Sequence, residues 1–223
     1  MQSLNPQGGI MKILKQQLAR KLLDIKAIKL QSTNPFTWAS GWKSPIYCDN
    51  RKTLSHPPIR NFIKLELIRT IFENYESIDS IAGIATGAIA QGAMIAEELN
   101  LPFTYIRSVP KDHGLENLIE GDLKPNAKVV IIEDLVSTGE SSLRAVKAIR
   151  DAGCQVIGMV AIFTYGFLIA EEKFKAAKVK LIALCNYDTV LEEALETNYI
   201  NSSEIKILQE WKKNPSQWGN QLK

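Results

Sequence analysis

Cysteine and histidine are both scarce in this chain, and neither is spaced for a crosslink or a metal. Among 223 residues there are three cysteines and two histidines. Cys48, Cys154 and Cys185 are odd in number and form no C-x-x-C pair. Reduced, partly buried thiols are therefore expected, rather than a disulfide framework or a zinc site. With only His56 and His113 available, a Ser-His-Asp arrangement is not expected, and His56 in "SHPP" reads as a turn residue. No apolar run approaches the roughly 18 residues a membrane helix needs. The opening "MQSLNPQGGI" lacks a basic start followed by an apolar stretch, so no signal peptide is expected. A strong excess of one charge is also missing. The net charge of +3 is too small to imply a nucleic-acid partner by itself. A reducing cytoplasm fits these absences, and neither a membrane nor a nucleic acid is expected as a partner.

What is present suits a folded enzyme. The hydrophobic content of 45% is ordinary, and the length allows one large domain or one domain with an N-terminal cap. Residues 11–31 repeat Ile13, Leu14, Leu18, Leu22, Ile25 and Ile28 near helical spacing, which predicts a helix. Residues 32–51 hold two prolines, a glycine and four aromatics, a loop with one or two short strands. Pro58 could open a helix that runs to about Tyr75. From there the pattern alternates. Strands are expected at 80–85, 103–106, 128–133, 155–165 and 178–185, and helices at 88–99, 140–152, 167–176, 187–196 and 202–213. Strands separated by helices of this length predict a central parallel sheet with helices on both faces. The long polar segment 107–127 breaks the pattern, and loops of that kind are often functional.

The stretch "VVIIEDLVSTGES" (129–141) carries the most chemistry. A buried strand runs into two acids, Glu133 and Asp134. Then come Leu135, Val136, Ser137, Thr138, Gly139, Glu140 and Ser141. In open α/β sheets ligands gather at the carboxyl ends of strands. Backbone amides at a helix start carry partial positive charge, so this turn is a seat for a phosphate. No G-x-x-x-x-G-K-[ST] is present, so nucleoside-triphosphate hydrolysis is not suggested. The acids would repel phosphate but suit hydroxyl groups or a hydrated divalent cation. A ligand with a phosphate at one end and a diol near it, such as ribose 5-phosphate, satisfies both halves. Read alone, the stretch could also be an ordinary polar turn with Ser137 or Thr138 as helix cap.

This stretch resembles the phosphoribosyl-diphosphate (PRPP) binding motif of the type I phosphoribosyltransferases. Three further segments resemble the orotate phosphoribosyltransferases of that family: "FTWASGWKSPIYCDNR" (36–51), "IAGIATGAIAQGAMIAEELNLPFTYIR" (81–107) and "RSVPKDHGLENLIEG" (107–121). The likeness runs from about 11 to 212, in order. It implies a type I phosphoribosyltransferase fold with a small N-terminal cap, or hood. Residues 1–60 would form a helix and the hood over the base site, 61–213 the core, and 214–223 a tail. It implies PRPP and orotate as substrates, and Mg²⁺ held mainly by PRPP with no direct protein ligand. It also implies a homodimer whose catalytic loop completes the neighbouring subunit's site. Arg107, Lys111 and His113 would surround the diphosphate, with Lys111, His113 and Asp134 catalytic. Glu133 and Asp134 would contact the ribose hydroxyls, and residues 135–141 the 5′-phosphate. Ser137, Lys43 and Phe36 would meet orotate.

Each of these segments has a plainer reading. The Lys111–His113 cluster could be a solvated loop, residues 85–92 a tight strand-to-helix connection, and Lys43 a turn lysine. The chain departs from common family patterns at Ala39, where some members carry a lysine, and at Ser108, where many do. The motif begins with Glu133 rather than aspartate, and "FTYGF" (163–167) has no arginine for the orotate carboxylate. A purine-base phosphoribosyltransferase and a PRPP-sensing regulator of the same fold are the alternatives. The regulator would need a DNA-binding helical domain, for which residues 1–35 are too short.

Overall fold

A computed structural model describes residues 6–38, 40–108 and 118–221. The chain divides into two compact units, one of residues 1–55 with 185–223 and one of residues 56–184.

The first unit begins with helix α1 (Pro6–Asp24) and strand β1 (Ile28–Leu30). The helix stops short of the 11–31 expected. Lys26 takes a positive φ of 55°, and Ile28–Leu30 turns into a strand instead. Strands β2 (Phe36–Thr37), β3 (Lys43–Ser44) and β4 (Ile46–Cys48) follow, then a 3₁₀ turn at Asn50–Ser55. β1 pairs antiparallel with β4, and β2 with β3 in a short hairpin.

The second unit opens with α2 (Pro57–Asn74), which has proline in its first turn where a missing N–H costs nothing. It continues through β5 (Ser80–Ile84), α3 (Ile89–Leu99), β6 (Phe103–Ile106), β7 (Ile119–Glu120), β8 (Lys128–Val136), α4 (Glu140–Asp151), β9 (Gln155–Thr164), α5 (Leu168–Ala176) and β10 (Leu181–Asn186). The sheet order is β10-β9-β8-β5-β6-β7. β5 pairs in parallel with β6 and β8, and β8 with β9. The short β7 runs antiparallel to β6, with Tyr105 opposite Glu120. It falls inside the polar segment 107–127, where periodicity gave no strand.

The central strands are nearly continuous apolar runs because both of their faces are covered. Residues 129–132 of β8 and 159–163 of β9 are buried throughout. Beneath α4 and α5 lies one cluster that joins Ala82, Ile131, Ala145, Ile149, Ala161 and Phe174.

The chain returns to the first unit through α6 (Tyr187–Glu196) and α7 (Ser202–Lys213), and ends in a 3₁₀ turn at Trp218–Gln221. α6 is capped by Asn186, whose side chain accepts from Thr189 N. α7 starts in a capping box: Asn201 accepts from Glu204 N, and the Glu204 carboxylate accepts from Asn201 N. The other Glu204 oxygen accepts from Ser32 Oγ at 2.9 Å. Arg20 of α1 pairs with the buried Glu193 and with Glu196 of α6. Among the described residues no helix is long and apolar enough to cross a membrane.

Candidate active site

β8 does not end at Glu133. Its ladder with β9 continues through Glu133↔Ala161, Leu135↔Phe163 and Val136↔Thr164. Both acids therefore stand within a strand, and the connection to α4 shrinks to residues 137–139. A backbone fixed in a ladder holds a side chain more firmly than a free loop does.

The two carboxyl groups meet different surroundings. Glu133 is 3% exposed. Its Oε2 accepts from Ser142 Oγ at 2.9 Å, and its Oε1 accepts from the Asp134 backbone N–H at 3.0 Å. Burial, then the charge of Asp134, then a hydrogen bond to the Asp134 carboxyl push the Glu133 pKa well above the usual carboxylate range. Glu133 thus keeps its proton where an exposed glutamate has lost it. Asp134 is half-buried, and its carboxylate stands against Gly87 of the loop after β5. A Cβ added at Gly87 would stand 2.0 Å from Asp134 Oδ2, so glycine leaves room for this carboxylate where it now stands.

That neighbouring loop, 85–88, is tightly set. The Ala85–Thr86 peptide is cis. Ala85 N donates to Ile106 O at 2.8 Å, and Ala88 N to Ile84 O at 3.0 Å. Gly83 and Gly92 let the loop and α3 sit close to the sheet, since a Cβ at either would strike Ala88 O or the Phe103 ring at 2.8 or 2.7 Å.

On the other side of the acids, Gly139 caps α4 with φ 79° and no side-chain cap, so neither Ser137 nor Thr138 caps the helix. The first amides of α4 have no partner within the helix and face the loop. Ser137 and Thr138 are half-buried, and Glu140 and Ser141 exposed. Lys173 bonds Glu140 at 2.9 Å and lowers its pKa. The loop is anchored at Val136, whose carbonyl accepts from Thr164 Oγ1 at 3.3 Å and from Tyr165 N at 3.1 Å. Ser142 and Thr164 are the supporting residues that the sequence reading did not single out. Ser142 could have been found from its place in the first turn of the helix that follows the acids. Thr164 carries no local signal.

The remaining candidates are dispersed. Arg107 stands where the chain leaves β6. Its N–H donates to Leu118 O at 2.8 Å, and its guanidinium pairs with Glu120 at 3.2 Å. Lys111 and His113 lie outside the described residues, as does Ala39. In the first unit, Lys43 is exposed with its Nζ donating to Thr37 Oγ1 at 2.8 Å. Phe36 is half-buried, with its ring 5.6 Å from that of Tyr47. Among the described residues no group of three or more His, Cys, Asp or Glu is arranged to hold a metal ion. The accessible Asp134 carboxylate suits a hard cation that takes most of its oxygens from a ligand.

Residues 54–189 match the phosphoribosyl transferase domain family. The chain is 65% identical over 208 residues to the orotate phosphoribosyltransferase of Phocaeicola vulgatus, covering 93% of this chain and 98% of that one. It is 63% identical over 209 residues to the orotate phosphoribosyltransferase of Porphyromonas gingivalis, covering 94% and 100%. Among solved structures, the orotate phosphoribosyltransferase of Aeropyrum pernix superposes with a TM-score of 0.72 at 26% identity, covering 82% of this chain and 99% of that one. An acid pair held within the last pairs of a central strand's ladder, a glycine-floored loop beside it and an open helix start agree with these matches, and the chain belongs to the phosphoribosyltransferase family, among its orotate phosphoribosyltransferases.

Proposed function

We propose that this site transfers the ribose 5-phosphate of PRPP to N1 of orotate, giving orotidine 5′-monophosphate and diphosphate, a step of pyrimidine biosynthesis. The observation that carries the reading is the Asp134 carboxylate seated on Gly87, between the 85–88 loop and the start of α4. Asp134 accepts hydrogen bonds from the ribose diol. Glu133 contacts the diol beside it and, tied to Ser142, holds the Asp134 backbone in place. The amides and hydroxyls of residues 137–141 take the 5′-phosphate, with Leu135 and Val136 leading the chain into that turn. Loop 85–88 approaches the diphosphate through backbone rather than side chains.

As the C1–oxygen bond breaks, positive charge grows on the ribose and negative charge on the leaving diphosphate. Arg107, Lys111 and His113 neutralise the latter, Arg107 as a two-toothed donor and Lys111 as a point charge. The electron pair of the broken bond leaves with diphosphate, N1 of orotate supplies the new pair at C1, and the proton that N1 gives up passes to the departing diphosphate. No protein nucleophile is required, and the rate comes from positioning and charge stabilisation. Mg²⁺, held mainly by PRPP, supplies further charge neutralisation. Lys43, Phe36 and Ser137 face orotate. Residues 1–60 act as the base-side cap, 61–213 as the core and 214–223 as a tail. The enzyme works in the cytoplasm as a homodimer, with Arg107, Lys111 and His113 serving the partner's site.

The test is loss of orotate absorbance with PRPP and Mg²⁺, with adenine and hypoxanthine as competing bases and Asp134→Asn as the control. Orotate alone should be consumed, and the variant should lose most activity while staying folded. Turnover of a purine, or a fully active Asp134→Asn, would overturn the reading.

A further inference from the structure

The β2–β3 hairpin carries both Phe36 and Lys43, yet its ladder has only two pairs, Phe36↔Ser44 and Thr37↔Lys43. A hairpin that short does not hold itself in water. Its support comes from the C-terminal residues of the same unit. Trp211 of α7 is fully buried and donates its indole N–H to the Lys43 carbonyl at 3.3 Å. The Trp38 ring, next to β2, meets Trp211 edge-on at 5.5 Å and 79°. On its other side Trp211 lies 5.3 Å from the Tyr187 ring, whose hydroxyl donates to Leu208 O at 3.0 Å. One indole thus joins a rigid helix pair to the hairpin. Farther along, Gly219 rests on the Lys43 stem, where an added Cβ would come within 2.7 Å of Lys43 Cβ and Cγ.

We propose that Trp211 is a positioning residue for base recognition: it sets the hairpin's place through the Lys43 carbonyl and the Trp38 ring, and so fixes where the Lys43 ammonium extends. The inference rests on the reading that Lys43 and Phe36 face orotate. Buried aromatic packing alone would stabilise the unit without touching substrate. The direct bond to the backbone of Lys43 goes further, because it acts on the position of one named cation.

The experiment compares Trp211→Phe, Gly219→Ala and Lys43→Ala with the parent enzyme. It measures KM for orotate at saturating PRPP, KM for PRPP at saturating orotate, kcat and Tm. Trp211→Phe keeps an aromatic ring but loses the N–H, and loss of one such hydrogen bond should raise the orotate KM about fivefold. The PRPP KM and kcat should stay within about twofold of the parent, since nothing on the diphosphate side has changed. Gly219→Ala, which displaces the Lys43 stem without touching the core, should move the orotate KM in the same direction. An equal rise in both KM values for Trp211→Phe would reduce the residue to a purely structural one and overturn the proposal. So would an unchanged orotate KM in Trp211→Phe beside a raised one in Lys43→Ala. An unchanged orotate KM in Lys43→Ala would instead overturn the role of Lys43 itself, and the proposal with it.

Discussion

Ser142 Oγ and Glu133 Oε2, nine residues apart in sequence, lie 2.9 Å apart in space with the hydroxyl donating. Both groups are buried. The bond ties the strand that carries the acids to the first turn of α4, and it closes the 137–139 turn from below. Ser142→Ala leaves a buried carboxyl oxygen without its donor and should cost about 1 kcal/mol of stability. It should also loosen the phosphate seat, so the PRPP KM should rise several-fold. Denaturant unfolding and steady-state kinetics check the two effects, and a variant unchanged in both would separate Ser142 from the site.

Glu133 makes stability depend on pH in a direction opposite to that of a salt-bridged acid. Its folded-state pKa is raised, first by burial and then by Asp134. Below the ordinary value of 4.5 the proton is bound in folded and unfolded chain alike, and the contribution is fully present. As pH rises past 4.5 the unfolded chain releases the proton while the folded chain keeps it, so stability falls until the folded pKa is passed. Glu133→Gln mimics the protonated carboxyl and removes this slope. Thermal unfolding between about pH 5 and 8 should show the parent losing Tm relative to the variant. Parallel curves would mean that Glu133 is ionised in the fold.

Gly87→Ala tests the floor beneath Asp134. The new Cβ would overlap Oδ2 at 2.0 Å, so either the carboxylate or the 85–88 loop must move. A displaced catalytic group can cost about 100-fold in rate, and kcat/KM should fall by roughly that factor. The secondary structure should persist, because Gly87 lies in a turn rather than in the core. Circular dichroism beside the activity assay separates the two effects, and an alanine variant with parental kcat/KM would show that the close approach is dispensable.

Much of the fold was legible because local chemistry and tertiary packing agree. β6 at 103–106, α6 at 187–196 and α7 at 202–213 fall where the sequence reading puts them. Asn186 and Asn201 mark the two helix starts with side-chain caps. The exceptions are settled by distant partners. Ile28–Leu30 could extend a helix on periodicity alone, but pairing with Ile46–Cys48 makes it a strand. Two adjacent acids look like the end of a strand, yet pairing with Ala161, Phe163 and Thr164 carries β8 on to Val136. β7 has two residues and exists only because Tyr105 and Ile106 offer an edge. The motif at 129–141 could be read from residue types and their spacing. The burial of Glu133 could not, because it depends on how α4 packs.

Thr164 joins the end of β9 to the turn that leads to Ser137. Its hydroxyl donates to the Val136 carbonyl at 3.3 Å and accepts from Gly166 N at 3.1 Å. Gly166 itself has φ 64°, so the chain turns sharply there, and the threonine holds both sides of the turn. Thr164→Val keeps the shape and removes both bonds, at a cost of about 1–2 kcal/mol. The Val136 carbonyl retains Tyr165 N, so the strand ladder should survive while the Val136–Ser137 peptide gains freedom. The expected result is a PRPP KM raised about threefold to tenfold, with restoration in Thr164→Ser, which returns the hydroxyl without the methyl. Equal KM values for the valine and serine variants would mean that the strand ladder alone sets the turn.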